Sequence, residues 1–138
     1  MTTDPGQPNR GASPRAECTI PILRVRSLKA SIAWYVAVLG FRQDWYGDGV
    51  ASVSHDGHPI MLCEGAQGAP GTWLWLGVSD ARQWYELAVA HGGKIRMELV
   101  NLPWALEFHV EDPDGHVLRL GSERLANEPL AAWPEGEG

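Results

Sequence analysis

The chain has 138 residues, 44% hydrophobic and 20% charged, which suits one compact globular unit with a sizeable core. No stretch nears the roughly 18 apolar residues of a membrane span, so a membrane is excluded as a partner. A net charge of −6 disfavours nucleic acid and inclines toward a cationic small molecule.

Residues 1–16 carry Pro, Gly and Arg rather than an apolar signal core, so they are expected to form a disordered tail on a cytoplasmic protein. Residues 20–25 make a short apolar run predicted as a strand. Ser27 caps a helix marked by Leu28, Ile32, Tyr35, Val36 and Leu39, and Gly40 ends it. Strands follow at 41–46, 50–54 and 59–64, separated by the turn signals Gly47-Asp48-Gly49 and His55-Asp56-Gly57-His58. After a Gly-rich linker at 65–71 the order repeats. A strand at 73–78 leads to a cap at Ser79 or Asp80, then a helix to His91 and Gly92-Gly93. Strands at 94–102, 104–111 and 116–121 complete the pattern, with Asp112-Pro113-Asp114-Gly115 as the last tight turn. Residues 123–138, rich in Pro, Gly and acidic groups, read as an unstructured tail.

The chain is therefore two copies of β-α-β-β-β, module one at 19–64 and module two at 72–121, within a single domain of 17–122. Asp56-Gly57-His58-Pro59-Ile60-Met61-Leu62 matches Asp114-Gly115-His116-Val117-Leu118-Arg119-Leu120, and a Trp-Tyr pair falls inside each helix, at Trp34-Tyr35 and Trp84-Tyr85. Cys18 and Cys63 lie far apart without metal-finger spacing, so free thiols are expected. Seven tryptophans exceed what a core of this size needs, and that surplus calls for an explanation.

The opening strand and helix, the segment Trp75-Leu76-Gly77-Val78-Ser79-Asp80, and the closing hairpin from Pro103-Trp104 to Asp114-Gly115-His116 resemble the vicinal oxygen chelate superfamily over residues 19 to 122. That superfamily includes glyoxalase I, extradiol dioxygenases, fosfomycin-resistance enzymes and bleomycin-resistance proteins. The resemblance implies an α+β fold of two βαβββ modules whose curved mixed sheets line a cleft, completed in a two-fold homodimer.

Side chains alternate across a strand, so parity separates the two faces of each sheet. Leu23, Val25, Ile60, Leu62, Leu74, Leu76, Val78, Leu118 and Leu120 share one parity, all aliphatic, and are assigned to the helices. The other parity holds Ile22, Arg24, Met61, Cys63, Trp73, Trp75, Glu107, His109, Val117 and Arg119. Such a mixture makes a poor core. It suits a ligand cavity, or a plain subunit interface, and the two coincide if the cleft lies between subunits.

The resemblance places a divalent ion between four inward positions, which fall here on Ile20, Met61, Trp73 and Arg119. None is a ligand for a hard cation, so no metal and no other cofactor is expected. No nucleophile elbow, phosphate loop or dinucleotide fingerprint is present, and no catalytic residue is assigned. The resulting expectation is a metal-free small-molecule binding protein, not an enzyme, sequestering an aromatic or cationic antibiotic of bleomycin type. Trp73 and Trp75 would stack on flat rings, Glu107 would meet a cation, Arg24 or Arg119 an amide carbonyl or anion, and Met61, Cys63 and His109 would complete the wall. Ala105-Leu106 stands where bleomycin-resistance proteins commonly read Gly-Arg, which widens the expected ligand class. The alternatives are a glyoxalase-like lyase, isomerase or dioxygenase, either metal-dependent or cofactor-free with Glu107 and His109 as an acid-base pair, and an interaction protein whose cleft is filled by its own side chains.

Overall fold

A computed structural model describes residues 13–137; the greater part of the expected N-terminal tail lies outside them. Strand β1 (Ile22–Arg24) leads into helix α1 (Leu28–Leu39), followed by β2 (Arg42–Tyr46), β3 (Val50–His55) and β4 (His58–Cys63). The second half repeats the order with β5 (Trp73–Gly77), α2 (Ala81–Ala90), β6 (Lys94–Asn101), β7 (Leu106–Glu111) and β8 (Val117–Ser122). Each half forms a four-stranded mixed sheet, ordered β1-β4-β3-β2 and β5-β8-β7-β6. In both, the first strand runs parallel to the last and the other pairs are antiparallel. The parallel pair requires the crossover helix, and the hairpin turns supply the rest.

The helix ends follow their local chemistry. Ser27 accepts from Ala30 N–H, and Glu64 reaches back to accept Leu28 N–H at 2.7 Å, so the first turn of α1 has two carbonyl-independent acceptors. Gly40 closes α1 with φ 70, a left-handed value that favours glycine. Of the two candidate caps for α2, the structure uses Asp80, whose carboxylate accepts Arg82 N–H at 3.0 Å. Strand β7 starts two residues later than expected. A turn at Pro103-Trp104, closed by Leu102 N–H to Ala105 O at 2.8 Å, takes those residues out of the ladder.

The aliphatic parity forms the core. Leu23, Leu62, Leu118 and Leu120 are fully buried together with Tyr35 and Phe108, and Leu74, Leu76 and Val78 pack against them from β5 and its end. Both helices cover this face, so one core spans both modules. Polar contacts also join the halves. The Tyr35 hydroxyl donates to Asp112 Oδ2 at 2.9 Å, and His116 is held between Thr72 N–H and the Arg24 carbonyl at 3.0 and 2.6 Å. Burial, then the adjacent Asp112 carboxylate, push the Tyr35 phenol well above its ordinary value. Burial likewise raises Asp112 despite the hydrogen bonds it accepts.

Residues 123–137 contain no helix or strand, and hydrogen bonds tie them to the second sheet. The Asn101 side chain brackets Leu125, accepting its N–H at 2.8 Å and donating to its carbonyl at 3.0 Å, and Ala131 N–H bonds to Asn101 O at 2.8 Å. The segment then crosses the open face of the second sheet. No helix among the described residues is long and apolar enough to cross a membrane.

Candidate functional site

On that open face Arg119 lies opposite Trp75 on one side and opposite His109 on the other, with Glu107 opposite Gly121 on the same parity. Strand alternation therefore suffices to gather Trp73, Trp75, Glu107, His109 and Arg119. The indole of Trp75 lies flat across the sheet because residue 121 is glycine; a Cβ built there would sit 2.2 Å from the ring. One face of Trp75 is thus braced while the residue stays 49% exposed, and Arg119 places its guanidinium 5.3 Å from the ring centroid.

Glu107 is fully buried, and its acceptor capacity is used from within the protein. Arg119 donates to both oxygens, at 2.7 and 3.3 Å; Trp104 Nε1–H donates to Oε1 at 2.9 Å; His109 Nε2 faces Oε2 at 2.5 Å. Two donors per oxygen fill the four lone-pair positions of a carboxylate. Burial alone would raise this carboxyl, but Arg119, His109 and Trp104 together outweigh it and hold the group below the usual range. The group expected to meet a cationic ligand meets Arg119 instead.

Sequence patterning misses Arg96, Trp104, Trp133 and Glu137 on this face. The β6–β7 ladder shifts register between Ile95 and Met97, and Arg96 is the extra residue there. Its guanidinium sits 4.9 Å from the Trp73 ring centroid and binds Glu111 at 3.1 Å and Glu137 at 2.8 Å. Trp133 brings its ring to 5.5 Å from both Trp104 and His109 and to 5.1 Å from the Arg119 guanidinium. Glu137 bonds to His109 Nδ1, and its backbone carbonyl accepts the Trp133 indole N–H. The surplus tryptophans, one of them at 133 in the Pro- and Gly-bearing C-terminal segment, are the signal that could have found this arrangement.

The remaining expected residues lie on the other sheet. Arg24 lies opposite Cys63, and Met61 opposite Ile22. Arg24 donates to Ala66 O at 2.7 Å, anchoring the inter-module linker, and Cys63 Sγ accepts Gly65 N–H. Among the described residues none of the three bonds to the Trp75–Glu107–Arg119 group. Cys18 and Cys63 are free thiols.

The donor set does not fit a metal ion. Ile20, Met61, Trp73 and Arg119 offer no hard ligand, and the two carboxylates nearby, Glu107 and Glu137, each carry a guanidinium where an ion would have to bind. Glu64, three positions from Met61, caps α1. Among the described residues no group of three His, Cys, Asp or Glu side chains is arranged to hold an ion.

Residues 17–120 match the family model described as Glyoxalase/Bleomycin resistance protein/Dioxygenase superfamily. Among curated proteins none matches the chain. Several solved structures share the fold. TnmS3, an antibiotic binding protein from Streptomyces sp. CB03234, superposes with a TM-score of 0.70 at 19% identity, covering 79% of this chain and 97% of its own. TioX from Micromonospora sp. ML1 gives 0.68 at 22% identity, covering 80% and 100%. A glyoxalase/bleomycin resistance protein/dioxygenase from Nocardioides gives 0.65 at 17% identity, covering 88% and 93%.

Proposed function

The chain belongs to the Glyoxalase/Bleomycin resistance protein/Dioxygenase superfamily, and from that premise we propose that it is a small-molecule binding protein, taking a planar aromatic ligand on the open face of its second module. The observation that carries this reading is Trp75. A large flat ring is braced on Gly121 from below, flanked by a guanidinium, and left half exposed in a part of the molecule whose core is built elsewhere. Trp73 and Trp104, exposed at 39% and 53%, extend the aromatic surface. Binding sites join such apolar walls to a few polar groups.

The saturation of Glu107 argues against its service as a general base and against recognition of a cation, since every acceptor position on it is filled. Of the aromatic and cationic ligands expected from sequence, the geometry favours the aromatic. Sequestration of a flat antibiotic in the cytoplasm is the function in view, consistent with the antibiotic-binding fold relative TnmS3. We also place the protein in a two-fold dimer. Trp45 and Tyr46, exposed at 46% and 59% on the edge strand β2, supply apolar surface for it; a monomer in sedimentation at micromolar concentration would contradict this.

The test is intrinsic fluorescence. A planar aromatic ligand should quench the tryptophans with saturation near one ligand per chain, and Trp75→Ala should weaken binding at least tenfold (about 1.4 kcal/mol) with an unchanged circular dichroism spectrum. If Trp75→Ala instead unfolds the protein and no aromatic compound alters the emission, the face is structural and the binding reading falls.

A further inference from the structure

Trp133 and Glu137 are held over the open face of the second sheet chiefly by their side chains. Among the described residues, the backbone of 131–137 is tied to the rest of the protein by one backbone hydrogen bond, Ala131 N–H to Asn101 O. The Glu137 carboxylate, in contrast, accepts from Arg96 Nε at 2.8 Å and bonds to His109 Nδ1, and the Trp133 ring lies among Trp104, His109 and Arg119. Without this segment, Arg96 Nε would face the open sheet with no acceptor, beside the Trp73 ring. An unpaired guanidinium N–H in such a place is costly, and a carboxylate satisfies it through a charge-assisted bond. A cation has no equivalent welcome, because Glu107 is saturated and Glu111 is occupied by Lys94 and Arg96.

We infer that Trp133 and Glu137 stand in for the ligand, and that the ligand is a planar aromatic carboxylate which enters by displacing them. This rests on the binding reading above and narrows it to one chemical class. A site occupied by its own chain binds ligand less tightly in proportion to the fraction of time it is open, so loosening the internal occupant tightens apparent affinity.

The experiment is calorimetric titration of the full chain with three flat probes: 2-naphthoate, its uncharged amide 2-naphthamide, and the cation N-methylquinolinium. Naphthoate should bind near one per chain and at least about tenfold more tightly than the other two. Glu137→Gln and Trp133→Ala, checked by circular dichroism, should each bind naphthoate about tenfold more tightly than the parent. Arg96→Gln should close the gap between naphthoate and naphthamide. If the amide or the cation binds as well as the acid, the carboxylate assignment is overturned while the binding function stands. If both segment variants bind naphthoate more weakly, the segment is part of the receptor and the stand-in role is overturned. If no probe binds parent or variants, the inference and the binding reading fall together.

Discussion

The two modules are copies in register, and they differ in chemical character on one face. Ile22 lies opposite Met61 as Trp75 lies opposite Arg119; Ser52 opposes Met61 as His109 opposes Arg119; Val50 opposes Cys63 as Glu107 opposes Gly121. The first module thus holds Ile22, Val50, Ser52 and Met61 where the second holds Trp75, Glu107, His109 and Arg119. Its open-face hydroxyls are occupied locally, Ser52 and Ser54 both donating to Asp44 on β2. On the covered face every matched position is apolar: Leu62 matches Leu120, Ile60 matches Leu118, Val53 matches Val110 and Ala51 matches Phe108, all buried. Burial under the helices restricts the covered face to apolar groups of the right volume. The open face is not restricted to apolar groups, and its charged and aromatic set is what sets the second module apart from the first.

Three substitution pairs test that contrast. The largest effect should come from the covered face and be equal in both halves: Leu62→Ala and Leu120→Ala should each lower unfolding free energy by about 2–5 kcal/mol in denaturant titration. A cost confined to one module would mean that the core is not shared.

On the open face the halves should part. Glu107→Ala strips Arg119 and His109 of their common acceptor and should cost about 3 kcal/mol, the low end for a buried pair because Arg119 is partly exposed. Val50→Ala at the matching position should cost about 1 kcal/mol. The carboxyl of Glu107 is held below its ordinary value of 4.5, so the stability it contributes is complete above pH 4.5 and is lost as pH falls through the lower, folded value. Asp112, raised by burial, acts in the opposite sense and partly offsets the loss. Glu107→Gln should therefore flatten the acid limb of the stability profile. An unchanged limb would refute the assigned charge state.

The smallest effect on stability should be the most specific for binding. Gly121→Ala must lift the Trp75 indole off the sheet, which should shift its emission and weaken aromatic ligands about tenfold, while Cys63→Ala at the matching site should leave them untouched. Equal effects from the two would remove the case for a site confined to the second module.

The sequence reading succeeds wherever a period operates. Alternation alone gathers Trp73, Trp75, Glu107, His109 and Arg119, because the three strands that carry them, β5, β8 and β7, are regular and adjacent. Alternation also selects Arg24, Met61 and Cys63, but parity names a face of a strand and carries no information on which sheet that face belongs to. Arg96 escapes because a bulge breaks the period at that residue. Trp133 and Glu137 escape because their segment has no period at all. Average composition predicts an unstructured tail, and the two side chains that anchor it are outweighed by prolines and glycines. Glu107 is found, but its partners set its role, and those come from Arg119 across the sheet and Trp104 in a turn.

The indoles of Trp104 and Trp133, 5.5 Å apart and inclined by 36°, are close enough for their electronic transitions to couple. Such a pair absorbs circularly polarised light as one chiral chromophore, giving a bisignate exciton band in the ultraviolet. The protein therefore carries an optical gauge of its own C-terminal segment, legible without any label: the band is present while Trp133 lies against Trp104 and collapses when the two rings separate.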